Sequence, residues 1–531
     1  MRKFPFLALY PILIAISISS AAKAAGQQPN LDDLLWERAA AKYDSQRTAV
    51  IANVDRIAHQ GPFQPNWDSL EHYKIPDWYQ DAKFGIFIHW GLYSVPAFGN
   101  EWYPRNMYMQ GSREFKHHVE TYGPQTKFGY KDFIPMFHAE HFDPAAWAAL
   151  FKESGAKYVI PVAEHHDGFP MYATGLSDWS AAKMGPHRDI IGDLAKAIRT
   201  EGLHLGASSH RAEHYWFLDG GREFPSDIQD PQYAAFYGPA HVAPAGKKPE
   251  DKGVLHPDNA YLNDWLARSA EIVEKYNPEL VYFDWWVEQP EFQPYLQRFA
   301  AFYYNEAAQN GVQPVLFRKN DAFPDGTTVL DIERGQLDQI RTRHWQTDTS
   351  ISNASWGYVR NDTYKSAESI VWQLVDIVSK NGNLLLNIGP KSDGTIPDEA
   401  QTILRGIGAW LNVNGEAIYG SRPWTTYGEG PTKVVPGSFN DTETAAYTPQ
   451  DIRFTTKNGT LYVIALGWPS DGHLTIQSLG SASNFKVADV RLLGSDAKIA
   501  FRQAADGLHL DLPTKPEAGR YAYSFKVAPM Q

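Results

Sequence analysis

The chain is 531 residues long, enough for one large α/β domain and a smaller second one. It contains no cysteine, which excludes disulfides, thiolate metal sites and a cysteine nucleophile. A formal charge of −12 without any long basic block argues against a nucleic-acid partner, so the chemistry falls to carboxylates, histidines and hydroxyls.

Met1-Arg2-Lys3 leads into an apolar stretch ending near Ile18, and Ala22-Lys23-Ala24 follows. This reads as a signal peptide over residues 1–24, cleaved near Ala24. Export to the periplasm or the medium is expected, with no membrane association after cleavage. An uncleaved anchor is the alternative, but the apolar core is short for a span. Residues 31–60 read as polar helix, and Pro62 and Pro65 then break the pattern, so residues 25–75 form a helical N-terminal extension.

Eight short apolar runs follow: Phe84 to His89, Tyr158 to Ala163, Leu203 to Ser208, Leu280 to Phe283, Val315 to Phe317, Val329 to Ile332, Trp345 to Thr347 and Leu384 to Ile388. Continuously apolar strands are those buried on both faces of a parallel sheet. Amphipathic helices lie between several of them, with Asp143-Pro144 capping Ala145 to Glu153 and Asp189 opening a helix to about Thr200. Others run from about Asn263 to Tyr276 and from Pro397 to Val413. The alternation predicts an α/β fold with a (β/α)8-like TIM barrel over residues 76–422, an open α/β sheet being the alternative. The Gly-, Pro- and charge-rich stretch from about Asp219 to His256 reads as an active-face loop that would frame a leaving-group site, together with the Glu288 region. After Pro423 the pattern shifts to period two, in Leu461 to Leu466, Val487 to Leu493, Leu508 to Leu512 and Tyr521 to Val527. That predicts a C-terminal antiparallel β-sandwich over 423–531.

Polar residues stand at the ends of these strands, where a barrel gathers its functional side chains. Asp284 ends Leu280-Val281-Tyr282-Phe283 and precedes Trp285-Trp286, so one carboxylate sits among aromatic rings. Glu333 follows the strand two positions further round. Two facing carboxyl groups are the minimum for cleaving a glycosidic bond. A surface pair of Glu333 or Asp331 with Arg334 is the plainer reading, and Glu288 is a rival acid. His89, His165 and His166 share the same face and point either to a metal or to hydroxyl recognition. No H-E-x-x-H or H-x-H pair supports zinc, so neither a metal nor a cofactor is expected. Glu101-Trp102, after the first strand, adds an acceptor and an aromatic face.

These residues fall within motifs that resemble the α-L-fucosidases of glycoside hydrolase family 29. The motifs are Ala82-Lys83-Phe84-Gly85-Ile86-Phe87-Ile88-His89-Trp90-Gly91, Asn100-Glu101-Trp102-Tyr103, Glu164-His165-His166-Asp167-Gly168-Phe169, Arg188-Asp189 with Gly192-Asp193-Leu194, Ser355-Trp356-Gly357-Tyr358, and Asn381 to Pro390. The resemblance implies a retaining mechanism with Asp284 as nucleophile and Glu333, on a weaker match, as acid/base. It implies that His89, His165, His166, Glu101 and Trp102 hold fucose hydroxyls and that Phe87 and Trp356 wall in the methyl group. The implied partner is a fucosylated oligosaccharide or glycoconjugate.

Three departures accompany the resemblance. Tyr282 and Trp285 flank the nucleophile where the family often has Trp and Gly, Ser208-Ser209-His210 replaces a tyrosine so that His210 would take its contact, and either Arg318 or Lys319 stands for a family arginine. Two other functions remain open at this point: a fucose-binding protein on a catalytically impaired barrel, and a metal-dependent hydrolase built on His89, His165 and His166.

Overall fold

A computed structural model describes residues 31–517 and 519–530, so the expected signal peptide lies outside the described residues. Eight parallel strands close into a barrel in chain order: β1 (Phe84–Ile88), β2 (Tyr158–Glu164), β3 (His204–Ser209), β4 (Leu280–Phe283), β5 (Val315–Arg318), β6 (Val329–Asp331), β7 (Trp345–Ser350) and β8 (Gly382–Ile388). β1 pairs with β8 from Phe84 opposite Leu384 to Ile88 opposite Ile388, which closes the cylinder and sets the open-sheet alternative aside.

The apolar runs are continuous because both faces of each strand are covered. Phe87, Tyr158, Ile160, Leu280, Tyr282, Phe317 and Leu385 fill the barrel interior. Their neighbours Ile86, Ile88, Val159, Val281 and Phe283 belong instead to the larger core shared with the surrounding helices. Beneath the barrel, Tyr79 and Tyr158 both donate to Gln346 Oε1 at 2.9 Å, which satisfies that buried amide oxygen.

The helices begin where their caps dictate. Asp143 accepts from Ala145 N and Ala146 N, and Asp189 from Gly192 N, each at 3.0 Å. The helix expected from Asn263 starts earlier, at Asn259, because Asp258 accepts from Tyr261 N at 2.9 Å. The two N-terminal helices, Leu31–Ala40 and Asp44–Ala58, pack against the barrel rather than extending from it. Trp36, Val54 and Ile57 are buried, and Arg47 pairs with the buried Asp264 at 3.0 Å. Among the described residues no helix is long and apolar enough to cross a membrane.

The C-terminal residues form antiparallel strands β9 (Arg422–Glu429), β10 (Ile452–Lys457), β11 (Thr460–Ala465), β12 (His473–Ile476), β13 (Val487–Leu492), β14 (Ala500–Ala504), β15 (Gly507–Asp511) and β16 (Tyr523–Pro529). A five-stranded sheet (β13-β16-β11-β10-β9) and a three-stranded sheet (β12-β15-β14) share a core that includes Phe454, Val463, Leu474, Leu508 and Phe525. Trp372 and Trp410 donate their indole N–H groups to the carbonyls of Tyr521 and Ala522, at 2.9 and 2.8 Å, tying these sheets to the barrel helices. Between β9 and β10 the chain leaves its sheet and returns to the barrel mouth, where Gly437 bridges to Gln336.

Candidate active site

Each strand delivers its polar residue to one end of the barrel. His89 follows β1, His165 and His166 follow β2, His210 follows β3, Asp284 follows β4, Lys319 follows β5, and Glu333 stands two residues past β6. With Asp348 from β7 and Glu101, Trp102 and Trp356 from loops, they line one cavity of about 410 Å³. All the residues expected at the site, His210 included, are therefore brought together, except the rival acid Glu288.

Asp284 is the electrostatic centre. His210 Nδ1 lies 2.9 Å and His166 Nε2 3.5 Å from its Oδ2, while Lys319 Nζ lies 2.8 Å from its Oδ1. Burial pushes its pKa up, but Lys319, His210 and His166 outweigh burial and hold the carboxyl well below the usual range, so it is ionised. Glu333 behaves in the opposite way. Burial raises it to about 7 against the pull of Lys319 Nζ, 2.6 Å from its Oε2, with Asp348 and Asp284 adding repulsion. One carboxylate is thus ionised and its neighbour protonated near neutrality, the separation that an acid/nucleophile pair requires. The plainer pairing of Glu333 with Arg334 does not form. Arg334 instead lies 4.8 Å over the Trp356 ring and donates to the Ser355 carbonyl at 3.1 Å.

The histidines are kept neutral by burial, which lowers all four of His89, His165, His166 and His210. Neutral imidazole offers one donor and one acceptor, which suits a sugar hydroxyl. His89 Nδ1 is 2.7 Å from Asn387 Oδ1, so its other nitrogen faces the cavity as acceptor. The potential ligand atoms of His89, His165 and His210 lie within 4.8 Å of one another. However, His210 has both nitrogens engaged, by Ser208 Oγ at 2.6 Å and by Asp284, so a metal would have to break one of these contacts. Glu101 Oε2 accepts from Trp356 N at 2.8 Å, which fixes the Trp356 loop beside Phe87, the two rings 6.3 Å apart.

Four features escaped the sequence reading. Glu213, wholly buried, places Oε2 2.8 Å from His166 Nδ1, and burial followed by Asp284 repulsion pushes its pKa well up. Asp348 accepts from Tyr282 OH at 2.9 Å, which explains the tyrosine at that position. Asn387 was visible only as part of the motif Asn381 to Pro390. The fourth is Phe439 on the returning C-terminal loop, which lines the cavity. Of the two candidates after β5, Lys319 enters the site and Arg318 turns away to Asp325 at 2.9 Å.

Two expectations about the mouth are corrected. No residue from 219 to 256 lines the cavity. Asp219 instead holds Arg105 at 2.7 Å, so the insertion braces the β1 loop from behind. Glu288 also stays outside the lining, hydrogen-bonded to Asn320 Nδ2 at 3.3 Å. Its distance along the chain from Asp284 suggested the mouth, but it is Asn320, its hydrogen-bond partner, that lines the cavity.

Two carboxyl groups facing one cavity at the C-terminal end of a closed (β/α)8 barrel are the arrangement of a glycoside hydrolase. Residues 50–416 match the family model for alpha-L-fucosidase, and residues 442–528 match that for the alpha-L-fucosidase C-terminal domain. The tissue alpha-L-fucosidase of Rattus norvegicus is 32% identical over 462 residues, covering 86% of this chain and 89% of that protein. That of Homo sapiens is 31% identical over 487 residues, covering 90% and 94%. The crystal structure of Thermotoga maritima alpha-fucosidase in complex with fucose superposes with a TM-score of 0.70 at 31% identity, over 88% of this chain and all of that one. The chain belongs to the α-L-fucosidase family, glycoside hydrolase family 29.

Proposed function

We propose that this enzyme removes terminal α-L-fucosyl residues from fucosylated oligosaccharides or glycoconjugates by an exo-acting, retaining double displacement. The observation that carries this reading is the contact of one ammonium group with two carboxyls. Lys319 Nζ lies 2.8 Å from Asp284 Oδ1 and 2.6 Å from Glu333 Oε2. The two oxygens therefore stand no further apart than those distances laid end to end, close to the roughly 5–5.5 Å spacing of retaining enzymes and too near to admit an inverting water.

In the first step the ionised Asp284 attacks the anomeric carbon as its bond to the leaving oxygen breaks, and protonated Glu333 gives its proton to that oxygen. In the second, Glu333, now a carboxylate, takes a proton from water. The resulting hydroxide displaces Asp284 and regenerates both groups. His89, His165, His166 and His210 with Glu101 and Trp102 hold the ring hydroxyls. Phe87 and Trp356 form an apolar slot for the C5 methyl, whose burial is worth about 0.8 kcal/mol and which offers no partner to a hydroxymethyl.

Incubation with an aryl α-L-fucoside, followed by NMR of the freshly released sugar, tests the mechanism. Initial α-L-fucose is expected, and initial β-L-fucose would overturn retention. Export through residues 1–24 is a separate part of the proposal, supported by the charged start, apolar core and Ala22-Lys23-Ala24. N-terminal sequencing of the mature protein should begin at Ala25, and recovery of the full chain in the cytoplasm would refute it.

A further inference from the structure

The returning loop between β9 and β10 places one large apolar side chain where a glycosidase handles its leaving group. Phe439 lines the active-site cavity and is nevertheless 64% exposed. Its backbone is in the left-handed region, φ +59°, which is costly for a bulky residue without a compensating constraint.

The constraint is a short ladder to the segment that carries the catalytic acid. Phe439 N donates to the Glu333 carbonyl and Asp441 N to the Arg334 carbonyl, both at 2.9 Å. Gly437 N donates to the Gln336 carbonyl, also at 2.9 Å. Asp441 then anchors the loop below through the buried Lys365 ammonium and Thr349 hydroxyl. The loop thus holds Phe439 in a strained conformation and leaves its ring open to solvent. Packing does not account for that arrangement, since the ring is the part left exposed.

We infer that Phe439 is the floor or wall of a leaving-group subsite, stacking on a flat apolar ring face of the group attached to the fucosyl oxygen. The inference rests on the fucosidase reading and adds to it. Glu333 must reach the glycosidic oxygen to protonate it, so whatever is attached to that oxygen lies beside Glu333. Phe439 is hydrogen-bonded to the backbone of that same residue. The C–H face of a pyranose or the π face of an aryl group is the chemistry such a ring recognises, and a stacking contact of this kind changes affinity by about tenfold. By this reading the C-terminal loop, not the 219–256 insertion, sets leaving-group preference.

Two substrates with activated leaving groups separate stacking from acid catalysis. Both 2,4-dinitrophenyl α-L-fucoside and α-L-fucosyl fluoride depart with little proton assistance, but only the first presents a ring. In Phe439→Ala the ratio of kcat/KM on the aryl fucoside to that on the fluoride should fall about tenfold, and Phe439→Trp should restore it. An unchanged ratio in Phe439→Ala would overturn the inference, because a loop that only supports Glu333 affects both substrates alike. If the unmodified protein releases fucose from neither, the fucosidase reading fails and the inference falls with it.

Discussion

Lys319 Nζ lies 2.6 Å from Glu333 Oε2, and this contact opposes the burial that lifts the Glu333 carboxyl to about 7. The first chemical step needs Glu333 protonated, and the proton is lost as pH rises through its pKa. kcat/KM on an unactivated fucoside should therefore fall above about pH 7. Asp284 is held well below the usual carboxylate range, so no matching loss is expected until strongly acidic pH. In Lys319→Met both carboxyls lose a stabilising cation and both pKa values rise. The basic limb of the pH–rate profile should move to higher pH, and an acidic limb should enter the measurable range. A basic limb that moves downward would contradict the assignment.

Removing the nucleophile should abolish turnover without unfolding the barrel. Asp284→Ala is expected to lower kcat on an aryl fucoside by about 10³-fold or more. The vacated space then admits a small anion. Added azide should restore release of the aryl group and yield β-L-fucosyl azide, formed by a single inversion, as product analysis would show. Retention of near-normal activity in Asp284→Ala would remove this residue from the mechanism.

Glu213 lies outside the cavity lining with Oε2 2.8 Å from His166 Nδ1, yet that nitrogen is hydrogen-bonded to the His210 carbonyl at 3.1 Å and neither Glu213 oxygen has a hydrogen-bond partner, so Glu213 supports His166 by filling the space beside it. Burial keeps it protonated, and an amide is the closest mimic of that form. Glu213→Gln should preserve fucose affinity, measured as product inhibition. Glu213→Ala leaves a void beside His166 and should weaken it by roughly three- to tenfold. Equal effects from both variants would show that the carboxyl itself, not the space it fills, supports His166.

The N-terminal helices are held to the barrel by buried charge. Asp264 pairs with Arg47 of the Asp44–Ala58 helix at 3.0 Å and with Arg211 and Arg268 at 2.6 and 3.1 Å. Burial opposes its ionisation, but the three guanidinium groups prevail and lower its pKa. Asp264→Asn removes one of the carboxylates these cations share, leaving Arg211 and Arg268 with Glu164 and Arg47 with Asp44, and should cost about 1.5–3 kcal/mol in denaturant unfolding at pH 7. A carboxyl depressed in the folded state stabilises above its unfolded pKa of about 3.9, and that contribution fades as pH falls further. The stability gap between the two proteins should therefore narrow below about pH 4.

The barrel was legible because its signal is local. Each strand is a run of apolar residues, each helix an amphipathic repeat with a cap, and a polar residue ends the run wherever a strand reaches the mouth. His89, His165, His166, Asp284 and Glu333 were all found this way. In the C-terminal sheets β11, β13, β15 and β16 were visible as period-two alternation, whereas β9, β10, β12 and β14 were not.

What the sequence could not supply was the set of partners. Lys319 acts on Asp284 and Glu333 across gaps of 35 and 14 residues, Glu213 reaches His166 across a gap of 47, and Phe439 rests on Glu333 across a gap of 106. No local pattern encodes such contacts, because they form only when barrel closure and the return of the C-terminal loop bring the segments together. The sequence by itself determined the fold family and the chemical types at the strand ends. The tertiary structure decided which carboxyl is ionised, which is protonated, that Glu333 rather than Glu288 lines the cavity, and which loop stands at its mouth. Those outcomes depend on burial and on distances of a few ångströms, and neither exists until the chain is folded.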